Sequence, residues 1–96
     1  MDEFGLLSAG SYHKHQDNST LFGNVGEVYY KMGEYRSALD YYNKSLHMYK
    51  AIFGTTNHPK IALTYMNMGN AYNGLGEYRS ALEYYNKSLE MYKSYI

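Results

Sequence analysis

A chain of 96 residues with no cysteine and with nine basic and nine acidic side chains excludes several classes of protein before any pattern is read. Disulfide frameworks, thiolate nucleophiles and sulfur-ligated zinc all need cysteine, and a formal net charge of zero gives no long-range field toward nucleic acid, an anionic membrane or an acidic substrate. A chain this short makes one small domain that buries about 60 to 70% of its unfolded surface, so its core is limited.

Residues 1–14 form an N-terminal segment without an assigned role. Met1-Asp2-Glu3 places acids where a secretory signal carries bases, and the apolar part, Phe4 to Ala9, is shorter than a signal core, so no targeting segment is expected. No apolar run approaches the roughly 18 to 20 residues needed to cross a bilayer, and the expectation is a soluble protein of the cytoplasm, whose reducing interior suits a cysteine-free chain.

Asp17 or Asn18 can cap a first helix over 18–32, along which Phe22, Val25, Tyr29 and Met32 recur three and four apart on one face. Gly33 closes it, because glycine takes the left-handed conformation at little steric cost. A second helix follows over 35–52, with Tyr35, Ala38, Leu39, Tyr42, Leu46 and Tyr49 at the same spacing. The turn is short, so the two helices must lie antiparallel. The link from Gly54 to Pro59 carries a breaker at each end, and Pro59 suits the first turn of a third helix, where its missing N–H is not needed. Asn57 or His58 then caps that helix, which runs over 59–75 through Tyr65, Met68, Tyr72 and Leu75. Gly76 closes it, and a fourth helix over 78–95 presents Tyr78, Ala81, Leu82, Tyr85, Leu89 and Tyr92. Opposite charges four apart, Arg36/Asp40, Asp40/Lys44, Arg79/Glu83 and Glu83/Lys87, mark the solvated side.

The last two helices repeat the first two. A shift of 43 positions lays Gly33 to Lys50 over Gly76 to Lys93 with only Asp40/Glu83 and His47/Glu90 differing, and it also pairs His15 with His58, Asn24 with Asn67, Gly26 with Gly69 and Tyr29 with Tyr72. One unit therefore spans 15–57 and the second 58–96, where the chain stops before a second linker. A period of this size is the signature of stacked supersecondary units.

The order aromatic-x2-apolar-Gly-x2-Tyr, then Gly, then Ala-x3-aromatic, is carried by Phe22, Val25, Gly26, Tyr29, Gly33, Ala38 and Tyr42, and again by Tyr65, Met68, Gly69, Tyr72, Gly76, Ala81 and Tyr85. It resembles the tetratricopeptide repeat. The chain departs from that pattern in lacking Trp at the first position, in Ser45 and Ser88 where Ala is usual, and in Lys50 and Lys93 where Pro often ends the unit. Its period of 43 exceeds the usual length of about 34, and the excess falls between Ala51 and Pro59, which resembles the long repeats of kinesin light chains. The resemblance implies an all-α fold, an α-α superhelix whose first helices line a concave groove for an extended peptide or a partner helix.

On that groove face stand Asn24, Glu27 and Lys31 of the first unit and Asn67, Asn70 and Asn73 of the second. Asparagine donates and accepts at once, which suits the free backbone groups of a bound peptide. Gly23 and Met66 occupy the places where a carboxylate clamp of this family carries basic side chains, so such a clamp is not expected. Gly26, Ala38, Gly69 and Ala81 let the helices of a unit approach, with Tyr29, Tyr42, Tyr72 and Tyr85 filling the flanking gaps. Adjacent tyrosines cannot both face one interior, so Tyr30, Tyr41 and Tyr84 are expected to turn toward a neighbouring unit or a partner. A stacking surface is expected at Tyr84, Tyr92, Tyr95 and Ile96, because two units without a capping helix leave an apolar face bare. Self-assembly into a homo-oligomer, by stacking or by exchange of a unit, is the alternative to a groove that binds other proteins.

His13, His15, His47 and His58 keep no helical spacing with one another and no carboxylate cluster joins them, so no metal is expected. No nucleophile and base, carboxylate pair or oxyanion donor set emerges, so neither an enzyme nor a cofactor is expected. Zero net charge argues against nucleic acid as a partner.

Overall fold

The computed structural model describes residues 18–54 and 57–93. They form four helices: α1 over 18–31, α2 Tyr35–Phe53, α3 Pro59–Gly74 and α4 Tyr78–Lys93. The fold is all-α, two antiparallel helix pairs set side by side, with helix ends within two residues of those expected wherever they are described. Asp17, one of the expected caps of α1, lies outside the described residues.

The two hairpin turns are built alike because their sequences are alike. Gly33 and Gly76 take φ of 81° and 78°. In the first turn the N–H of Glu34 donates to the Tyr29 carbonyl at 2.9 Å and that of Gly33 to Tyr30 at 3.0 Å; in the second Glu77 donates to Tyr72 at 2.9 Å and Gly76 to Asn73 at 3.0 Å. These paired bonds satisfy the last carbonyls of a helix and stop it. Gly54, at φ 63°, ends α2, and its N–H donates to Lys50. His58 opens α3: its Nδ1 accepts from the Lys60 N–H at 3.1 Å with Pro59 at the first helical position.

Within each pair the same contacts recur. Ser45 Oγ donates to the Ser19 carbonyl at 2.7 Å and Ser88 Oγ to the Ala62 carbonyl at 2.8 Å, both buried. The serines that stand where the family usually has Ala thus tie each second helix to the first turns of its partner. A methyl on Gly26 would come within 2.8 Å of the Tyr42 ring, and one on Gly69 within 2.7 Å of the Tyr85 ring. Those distances are below any normal carbon contact, so the tyrosine lies flat on backbone that only glycine leaves open.

Between the pairs, α3 packs on α2 and builds the core. Ile61, Met68 and Ala71 of α3 are fully buried with Ala38, Leu39, Tyr42, Leu46 and Tyr49 of α2. At the far end of this contact the Tyr35 ring lies over Gly74, where a Cβ would sit 2.5 Å from it. Arg36 reaches across to Glu77 at 3.0 Å. None of the helix-surface pairs Arg36/Asp40, Asp40/Lys44, Arg79/Glu83 and Glu83/Lys87 is formed; Arg36 goes to the neighbouring unit, and ring faces take Lys44 and Lys87. Lys44 lies 4.7 Å above the Tyr41 ring and Lys87 4.7 Å above that of Tyr84, a contact comparable to an exposed ion pair.

Candidate partner-binding groove and helix faces

The six polar positions expected in the groove are all on α1 and α3, one series in each unit. Asn24, Glu27, Lys31 and Asn73 are exposed, whereas Asn67 and Asn70 are half-buried. Glu27 and Lys31 pair with each other at 3.5 Å. Asn70 accepts through Oδ1 from the Tyr85 hydroxyl, so its amide oxygen is committed and its NH2 is the group left to donate. At the place of Asn70 the first unit has Glu27, whose charge, after burial itself, helps push the Tyr42 hydroxyl up to about 12. Tyr85 is raised as well, by burial and then by Tyr30. Tyr30, in the last turn of α1, contributes to the shift of a tyrosine in each unit, and the raised Tyr42 and Tyr85 hydroxyls remain protonated donors at neutral pH.

Tyr29 and Tyr72, expected in the gaps beside the small residues, each stack on a tyrosine of their own unit: Tyr29 on Tyr41 with centroids 5.5 Å apart, Tyr72 on Tyr84 at 5.2 Å. This corrects the expectation for Tyr41 and Tyr84. Two successive helical residues are about 100° apart, and the arc covered by the companion helix is wide enough to hold both. Tyr84 is therefore half-buried inside its own unit and does not form the stacking surface. Tyr30 packs on Tyr35 of its own unit, with ring centroids 5.4 Å apart, and acts on the second unit through its effect on Tyr85.

The bare face of α4 is made of other residues. Tyr78, Leu82 and Leu89 are 65%, 62% and 55% exposed and Tyr92 37%. Among these only Tyr92 was expected; Tyr95 and Ile96 lie outside the described residues. Met66, Tyr85, Ser88, Leu89 and Tyr92 enclose an open, almost wholly apolar pocket of about 280 Å³ on this side. The opposite end is bare too: Leu21 and Val28 of α1 and Met32 just past its end are 57%, 58% and 64% exposed. The sequence signal for both faces was present as helical stripes, but only the three-dimensional neighbour decides which stripe is covered.

Stacked helical hairpins with one bare apolar helix face at each end define a helical solenoid. The tetratricopeptide repeat model matches residues 17–94, and the chain belongs to that family. No curated protein matches it at a significant level. Tetratricopeptide repeats are generally modules that bind proteins or peptides, and the family is a non-catalytic scaffold. Among the described residues no helix is long and apolar enough to cross a membrane.

Proposed function

We propose that the two repeats, 15–57 and 58–96, form a protein-interaction scaffold of the cytoplasm, with a groove on α1 and α3 that holds an extended peptide or a partner helix. The observation that carries this reading is the double row of polar side chains on the first helix of each repeat. Asn24 and Asn67 stand at equivalent places, and Asn70 has its amide oxygen held by Tyr85. An amide fixed in that way loses little freedom when it binds backbone, which favours affinity. Glu27 with Lys31 and Asn73 extend the row at either end. No catalytic role, cofactor, nucleic acid or membrane forms part of this proposal.

Peptides selected from a random display library against the intact chain provide the test. Replacing Asn24, Asn67 and Asn70 with Ala should lower their retention at least tenfold while the far-ultraviolet helical signal stays unchanged. Full retention with three alanines would remove the groove from the account.

A second reading, self-association, is favoured by the two bare apolar faces, Leu21, Val28 and Met32 at one end and Tyr78, Leu82 and Leu89 at the other. Exposed patches of this kind on a repeat end call for a cover.

A further inference from the structure

Resting on the self-association reading, we propose that copies of this chain stack head to tail: the outer face of α1 in one copy seats on the outer face of α4 in the next, in the register that α3 takes on α2. The α2/α3 contact inside the chain is the template. From Gly76 to Lys93 the sequence repeats Gly33 to Lys50 apart from Asp40/Glu83 and His47/Glu90, so α4 offers a newcomer the side chains that α2 offers α3. Leu39, Leu46 and Tyr49 are buried there, and their counterparts Leu82, Leu89 and Tyr92 are exposed. A receptor surface for one more α3-like helix is thus already made.

The chain carries a second helix of that kind. Leu21, Val25 and Val28 run down α1 to Met32 just past its end, at spacings of four, three and four, standing 43 positions before Thr64, Met68, Ala71 and Leu75. Every residue of the first set is apolar, and the larger Leu21 and Val28 offset the smaller Val25, so the stripe presents a similar bulk. In the copied register Leu21 comes to the end of α4 that carries the pocket beside Leu89 and Tyr92. The charges fit as well. Arg36 pairs with Glu77 across the internal contact; their counterparts are Arg79 and Glu34, both exposed, and the same register sets Arg79 of one copy against Glu34 of the next. Two places are less good: Asn18 stands where Ile61 is fully buried on α2, and Lys31 replaces Gly74, over which Tyr35 lies, so the exposed Tyr78 has to swing off the Lys31 stem. The contact between copies is accordingly weaker than the internal one and reversible.

A contact between two different faces leaves one face free at each end of a pair, and it builds an open stack unless the rotation closes a ring. Stacking extends the solenoid copy by copy, and with it the row of groove residues.

Sedimentation velocity on the full chain tests this. The wild type should grow in size with concentration, while Val28→Asp, which spoils the α1 face, and Leu82→Asp, which spoils the α4 face, should each sediment as monomers. Mixed in equal amounts, the two variants should form a one-to-one dimer and nothing larger, because one intact face remains on each. Self-association of V28D alone would mean that α4 faces pair with each other, and association of both variants alone would mean exchange of a repeat; either overturns the head-to-tail contact while leaving self-association standing. A wild type that is monomeric at every concentration overturns both. Should either aspartate variant unfold, the charge exchange decides: R79E and E34R should each associate several-fold more weakly than wild type and recover when mixed, and a mixture no better than its components contradicts the register.

Discussion

Helices α2 and α4 have nearly the same sequence and very different surroundings. Leu39 and Leu46 are 6% and 5% exposed, whereas Leu82 and Leu89, the same residues one period later, are 62% and 55% exposed. Contacts made inside a repeat, such as Ser45 to Ser19 and Ser88 to Ala62, come out alike in both copies. Contacts made between repeats exist once. In a solenoid each unit touches only its neighbours, so the same side chain is core in one copy and bare surface in the next, and the difference between α2 and α4 measures what a neighbouring helix contributes.

That difference can be broken at its strongest point by truncating one leucine of each helix. Leu46→Ala removes buried methyl groups and leaves a cavity against α3, which should cost about 3 kcal/mol. Leu89→Ala, measured by urea unfolding in dilute solution, should cost about 0.5 kcal/mol or less, as exposed substitutions do. Equal losses would mean that α4 is covered by something in the chain itself.

A smaller effect sharpens the comparison from the other side. Gly26→Leu and Gly69→Leu each drive a side chain into a tyrosine ring of the same repeat, and each should destabilise the chain by about 1 to 3 kcal/mol. Because both are contacts within a repeat, the two losses should agree within the error of the unfolding midpoints; a loss confined to one repeat would show that the hairpins are not equivalent.

Much of this architecture was legible in the residues. Glycine at 33 and 76, Pro59, and the three-and-four spacing of apolar side chains located the turns and helices, because these signals act within a few residues of where they stand. The small and aromatic positions of the repeat were legible for the same reason. Long-range choices were not. Nothing local in Arg36 says that it prefers Glu77 to Asp40, since Asp40 stands one turn away on the same helix and Glu77 comes within reach only once the hairpins are packed. Tyr84 was assigned to an outer face by counting adjacent tyrosines as opposed, although a companion helix covers an arc that takes both. One signal did exist for the contact between repeats: at equivalent places the first unit has Asn18 and Lys31 where the second has Ile61 and Gly74. Those are positions that α2 covers in the second unit alone, so departures between otherwise matching copies mark where a neighbour sits.

That α4 is α2 without its neighbour is tested most directly by amide hydrogen exchange followed helix by helix at low and high protein concentration. In dilute solution the amides of Tyr35–Phe53 should exchange at least tenfold more slowly than those of Tyr78–Lys93, and at high concentration the protection of α4 should rise toward that of α2 while α2 changes little. Equal protection of the two helices in the dilute monomer would contradict the account.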